Sequence, residues 1–240
     1  MPASRVVEIA VQDPSGARAA VAAGASRLEL CQALEMGGLT PSLAVLESVL
    51  AAVDPALVNV LVRPRGGGFC YDAEEIALVE ADIRACVDRG AGGVVVGALD
   101  PDGAVDVSVL RRWRDAAGPA ALVFHRAIDA APDPDAVFDT LRDEGVDRVL
   151  TSGGASRSLD GVPRLAAFAA RAGGAIEVMA GGGVQPGDIP ALFGAGVDAV
   201  HLSARSRAGL DARSGPGGGA AGHDVTDAAI VAAAVAAAAR

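Results

Sequence analysis

Four side chains able to move protons, Glu8, Glu29, His125 and His201, sit on short runs rich in β-branched and aliphatic residues. Alternate side chains of a strand face opposite sides. These four share one phase with Asn59, Arg63, Arg148, Ser152, Glu177 and Ser203, while the other phase carries Val7, Ile9, Leu28, Leu30, Val60, Val62, Leu122, Phe124, Val200 and Leu202. Carboxylates beside imidazoles suit general acid–base catalysis, with Glu8 or Glu29 as the base and His125 or His201 as the acid. The same four also offer oxygen and nitrogen ligands to a divalent ion such as Zn or Mn. Arg148 and Glu177, placed mid-strand, read as an internal ion pair. Three loops add candidate anion-binding groups. Arg63-Pro64-Arg65-Gly66-Gly67 sets two guanidinium groups beside a flexible turn, a suitable clamp for a carboxylate or phosphate. Ser152-Gly153 and Gly182-Gly183 bring glycine backbone close enough for N–H groups to reach an anion, and Ser203 follows the last such run. All 20 basic residues are arginine, so imine chemistry and a Walker phosphate loop, which need lysine, are excluded. Isomerisation or aldol-type chemistry on a small anionic substrate remains open to this set.

Such groups meet only if the chain gathers its strands. Eight runs are expected as strands: Val6–Ala10, Arg27–Cys31, Val58–Arg63, Val94–Gly97, Ala121–Arg126, Arg148–Ser152, Ile176–Ala180 and Ala199–Ser203. Helical segments lie between them. Asp13-Pro14, Thr40-Pro41 and Asp133-Pro134 predict helix starts, and Gly24, Gly90, Gly118, Gly145 and Gly196 predict helix ends. Eight strand–helix units in 240 residues predict a single-domain (β/α)8 TIM barrel, a fold of about 250 residues whose active sites lie at the C-terminal strand ends. Residues 205–224, which include the low-complexity stretch Ser214 to Gly222, predict a flexible loop on that face before a last helix from Val225 to Arg240.

Composition narrows the partners. With 20 basic against 30 acidic residues and a pI near 4.7, the charge balance argues against nucleic acid, which requires a basic face. Three cysteines without CxxC spacing argue against a disulfide framework. The longest uncharged apolar stretch, Ala228 to Ala239, falls short of the roughly 20 residues of a membrane span, and no signal peptide is evident. A cytoplasmic protein is expected.

The runs Leu28-Glu29-Leu30-Cys31, Gly37-Gly38-Leu39-Thr40-Pro41-Ser42, Phe69-Cys70-Tyr71, Phe124-His125-Arg126-Ala127 and Leu150-Thr151-Ser152-Gly153, with the Arg63 loop, resemble the CutC copper-homeostasis family. The resemblance runs from about Glu8 to Ser203. It implies a TIM barrel, a cytoplasmic homo-oligomer and copper(I) as ligand or cargo. Cys31 and Cys70 match the family's recurring cysteine positions, and thiolates are soft ligands that select Cu(I). Where many relatives carry cysteine just after the first strand, this chain has Ala10 and Val11.

Overall fold

The structure is a computed structural model that describes residues 5–210 and 221–240. Eight parallel strands close into a barrel in sequence order. They are β1 (Val6–Val11), β2 (Arg27–Leu30), β3 (Val58–Leu61), β4 (Gly93–Val96), β5 (Ala121–Phe124), β6 (Arg148–Thr151), β7 (Glu177–Gly181) and β8 (Ala199–Leu202). The closing pair sets Glu8 opposite His201, while on its other edge β1 sets Glu8 opposite Arg27. The outer layer is formed by α1 (Pro14–Ala22), α2 (Leu43–Leu50), α3 (Ala73–Asp88), α4 (Val107–Ala117), α5 (Pro134–Asp143), α6 (Val162–Ala172), α7 (Ile189–Gly194) and α8 (Ala228–Ala238).

Local chemistry explains the helix starts. Asp13 and Asp133 each accept a backbone N–H three residues on, with Pro14 and Pro134 in the first turn. The Thr40-Pro41 start is displaced: Ser42 caps α2 through the Val45 N–H, because the Thr40 hydroxyl is engaged with the Arg63 backbone. All five glycines expected at helix ends have positive φ.

The ten aliphatic and aromatic residues of the helix-facing phase are all buried between strands and helices. On the barrel axis a smaller apolar cluster joins Cys31, Leu61, Val95, Val123, Leu150, Met179 and Ala199. Charged groups lie among these, which an ordinary barrel interior, filled by Val, Ile and Leu, does not contain.

The segment after β8 departs from the expected loop. Its ends form a two-stranded antiparallel ribbon, β9 (Arg205–Ala208) and β10 (His223–Thr226), with Arg205 opposite Thr226. Alternating Arg205, Arg207 and Asp224 supply the ion pairs that hold the ribbon. Val225 therefore belongs to a strand, and α8 starts at Ala228, capped by Asp227. Residues 211–220, most of the low-complexity stretch, lie outside the described residues. No described helix is long and apolar enough to cross a membrane.

Candidate functional site

A cavity of about 350 Å³ opens at the C-terminal ends of the strands. Its walls include Glu29, Arg63, Phe69, His125, Arg126, Gly182, Gly183, His201, Ser203 and Arg205. Arg63 is drawn in by the β3–α3 loop. Its terminal nitrogens donate to the carbonyls of Gly37, Gly38 and Gly67, and its guanidinium lies over the Phe69 ring at 5.0 Å. Arg63 is 7% exposed, yet its Nε has no partner among the described residues. His125 follows β5 and caps a 3₁₀ turn, Arg126–Ala130; its Nδ1 accepts the Ala127 N–H at 3.2 Å. That contact assigns the ring proton to Nε2, which is buried and also unpartnered. Burial, followed by the nearby Arg63 charge, drives the His125 pKa down to about 3, so the ring is neutral at physiological pH. Gly97 makes this placement possible, since a methyl group there would overlap the imidazole.

Beneath the cavity lies an ion-pair chain. His201 Nδ1 is 2.8 Å from Glu8 Oε1, and Glu8 Oε2 accepts from Arg27 Nε at 2.6 Å and from Asn59 at 3.3 Å. Arg27 also reaches Glu177 at 2.7 Å, and Glu177 lies 2.8 Å from Arg148 Nε. The expected Arg148–Glu177 pair is therefore present, with Arg27 as an unforeseen third member. Glu8 is 1% exposed. Burial alone would raise its pKa, but the His201 hydrogen bond and the Arg27 charge outweigh it and hold the carboxyl at about 2. Glu29 is the opposite case. Its Oε1 is 4.0 Å from His201 Nε2 and its Oε2 has no partner. Burial raises its pKa to about 7, with the Glu8 charge adding and His201 opposing. His201 is held above its ordinary pKa, because the two carboxylates outweigh burial.

The expected site thus divides. Glu29, His125, His201, Arg63, Gly182, Gly183 and Ser203 come together on the cavity. Glu8 does not line it and acts from below, on His201. Arg65 is turned away: it pairs with Glu75 in the first turn of α3, donates to the Gly68 and Cys70 carbonyls and stacks over Tyr71. Ser152 and Gly153 are not free for a ligand either, because the loop closes on an internal anion. The Asp129 carboxylate accepts from the backbone N–H of Ser152 and Gly154, from the Thr151 hydroxyl and from Arg126. Sequence reasoning passed over Arg27, Arg126, Asp129 and Phe69. Arg27 lies two residues before Glu29 and so on the same strand face, a signal that was available.

The two cysteines do not join the cavity groups. Cys31 is fully buried in the apolar axial cluster, and burial, with the Glu29 charge, pushes its thiol up, which keeps it protonated. Cys70 is exposed, and neither cysteine lines the cavity. One ligating atom from each of Glu8, Glu29 and His201 lies within 4.8 Å of the others, but this set has no soft sulfur ligand and both Glu8 oxygens are already engaged. His125 stands outside that group, with Nδ1 occupied and Nε2 carrying the proton. The four-ligand divalent site is therefore reduced to three residues.

A closed eight-stranded parallel barrel ringed by helices, with acid, base and guanidinium groups converging at its C-terminal rim, is a TIM barrel. The CutC family profile matches residues 5–206. A CutC family protein from Xylella fastidiosa (strain Temecula1 / ATCC 700964) is 44% identical over 207 residues, covering 86% of this chain and 77% of the relative. One from Klebsiella pneumoniae (strain 342) is 44% identical over 199 residues, covering 83% and 80%. The crystal structure of a Streptococcus agalactiae CutC, whose name proposes a copper-homeostasis role, superimposes with a TM-score of 0.76 at 28% identity, covering 83% of this chain and 98% of that one. The chain belongs to the CutC family.

Proposed function

We propose that the protein is an enzyme that enolises a small anionic carbonyl compound. One observation carries the reading: of the five buried side-chain atoms without a hydrogen-bond partner among the described residues, three, Glu29 Oε2, Arg63 Nε and His125 Nε2, belong to residues lining one cavity, the other two being on Arg148. Leaving such groups unsatisfied costs about 1–3 kcal/mol each, so a ligand that completes them is favoured. Two are donors, as a carbonyl oxygen requires, and the third is a base with a pKa near neutrality, where a general base is most effective. In this reading the substrate carbonyl accepts hydrogen bonds from Arg63 and the neutral His125. Glu29 takes a proton from the adjacent carbon, and the C–H electron pair forms the C=C bond of an enolate whose charge rests on the carbonyl oxygen. Glu29 then returns the proton to the same carbon or, where that carbon bears a hydroxyl whose own proton passes to the former carbonyl oxygen, to the former carbonyl carbon. A neutral imidazole serves well here, since its N–H stabilises the enolate without giving the proton away. Glu8 and His201 fix the charge beside Glu29.

The test is proton exchange in D2O, followed by proton NMR, over a panel of short hydroxyaldehydes, hydroxyketones and their phosphates. Protein-dependent loss of an α-proton signal, abolished in Glu29→Gln, is the expected result. No exchange with any member, or equal exchange in Glu29→Gln, contradicts the reading.

Copper(I) handling through Cys31 and Cys70, in a cytoplasmic homo-oligomer, is the competing proposal that the streptococcal relative's name favours. It predicts stoichiometric Cu(I) uptake that Cys31→Ser/Cys70→Ser abolishes. The buried, protonated Cys31 weighs against it.

A further inference from the structure

The opposite wall of the same cavity has a different chemistry. Gly182, Gly183 and Val184 leave β7, while Ser203 and Ala204 leave the adjacent β8. Gly182, Gly183, Val184 and Ser203 all line the cavity. None of the five backbone N–H groups donates to an acceptor among the described residues. Gly182, Gly183 and Ala204 have φ of 131°, 63° and 41°, so both loops bend through the left-handed region, where successive N–H groups form concave anion-binding nests. At Ala204 a non-glycine residue adopts this conformation, which the surrounding structure must enforce. The Ser203 hydroxyl makes no hydrogen bond among the described residues.

Guanidinium groups frame this wall. Arg126 lies against Gly182, where a methyl group would come within 3.1 Å of its Cζ. Arg157 packs on Gly183, and Arg205 lines the cavity mouth. Each already pairs with one carboxylate, Arg126 with Asp129, Arg157 with Asp188 and Arg205 with Asp224. The surroundings are thus close to neutral, and the unpaired N–H groups carry the preference for an anion. The facing wall supplies the independent sign that a ligand belongs here, namely the buried unpartnered atoms of Arg63 and His125.

The geometry points to a phosphate subsite formed by the Gly183, Val184 and Ser203 N–H groups with Arg126, so that the substrate is a short phosphorylated hydroxy-carbonyl compound bound by its phosphate at β7 and β8 and by its carbonyl at Arg63 and His125. This deepens the enolisation reading and rests on it for the carbonyl end. A cavity of about 350 Å³ is at the small end of ligand sites, which span roughly 300–1,000 Å³, and suits a compound of a few carbons.

The experiment uses three probes: inorganic phosphate, glycolate and 2-phosphoglycolate, titrated into ¹⁵N-labelled protein. Phosphate is expected to move the Gly183, Val184 and Ser203 amide signals, and glycolate the His125 ring signals. 2-Phosphoglycolate is expected to move both sets and to bind at least 100-fold more tightly than glycolate. Ser203→Asp, which places a negative charge in the subsite, should weaken phosphate and 2-phosphoglycolate at least 20-fold and leave glycolate within twofold. Should that variant unfold, Arg126→Met decides the same point, with an expected loss of at least fivefold. Unmoved β7 and β8 amides, or undiminished phosphate affinity in the folded variant, overturn the subsite. Amides that respond to phosphate while His125 and Glu29 ignore glycolate overturn the enolisation reading and leave the subsite standing.

Discussion

Replacing Arg27 with methionine tests the ion-pair chain beneath the cavity. Arg27 is the partner of two carboxylates, Glu8 at 2.6 Å and Glu177 at 2.7 Å, with Glu8 1% exposed. Removing one member of a buried pair leaves an uncompensated charge and costs about 3–5 kcal/mol. The Glu8 pKa falls from 4.5 to about 2, worth about 3 kcal/mol at 1.36 kcal/mol per unit, and Arg27 supplies part of that fall beside the larger contribution of the His201 hydrogen bond. Its sign is fixed: a depressed carboxyl pKa contributes stability above about pH 4.5, which is lost as pH falls toward 2. Methionine keeps the packing of the arginine stem, so the loss is mainly electrostatic. For a chain of this length 1 kcal/mol shifts Tm by about 2–4 °C, so Arg27→Met should melt roughly 6–20 °C lower at pH 7. The gap should narrow below pH 4, where Glu8 in the variant protonates readily. Melting by circular dichroism across pH 3–8 measures this. A variant that melts within 2 °C of the parent at pH 7, or a gap that widens in acid, refutes the role given to Arg27.

Three further outcomes follow from the cavity. Gly97→Ala should fold but displace the His125 ring, so its Nδ1 loses the Ala127 N–H and the imidazole titrates nearer 6.5 than 3 by ¹⁵N NMR; an unmoved ring contradicts the packing argument. Glu29→Gln should raise Tm at pH 8 by several degrees and abolish exchange. A raised carboxyl pKa means that folding costs stability as pH rises from 4.5 through about 7, so the gain should vanish by pH 4. Gly93→Ala should destabilise by about 1–3 kcal/mol, because the methyl overlaps Asn59 and presses on the Ala121 carbonyl; a neutral denaturant midpoint would show that β4 can shift.

The barrel was legible in the sequence because two periodicities agreed. Eight aliphatic runs alternated with period two, and Asp-Pro and glycine punctuation marked the helices between them. The same alternation separated the helix-facing phase from the charged one, and so found Glu29, Arg63, His125 and His201. It failed where a side chain leaves the strand. Arg63 and Arg65 are two residues apart and read as one clamp, but Glu75, fixed at the start of α3 by the Asp72 capping box, draws Arg65 outward. The Ser152-Gly153 loop has the composition of an anion site and is one, but its anion is Asp129, carried by a 3₁₀ turn that periodicity does not mark. Cys31 and Cys70 are matched by motif, while burial, which a motif does not encode, separates them. The protonation difference between Glu8 and Glu29 depends on which neighbours each one faces across the axis, and only the closed barrel fixes that.

Enolisation by this protein requires Glu29 to be a base poised near neutrality. A ¹³C NMR titration of its carboxyl, assigned with Glu29→Gln, tests this directly. A midpoint near 7 is the predicted result. A midpoint near 4.5, the value of an ordinary exposed glutamate, contradicts it.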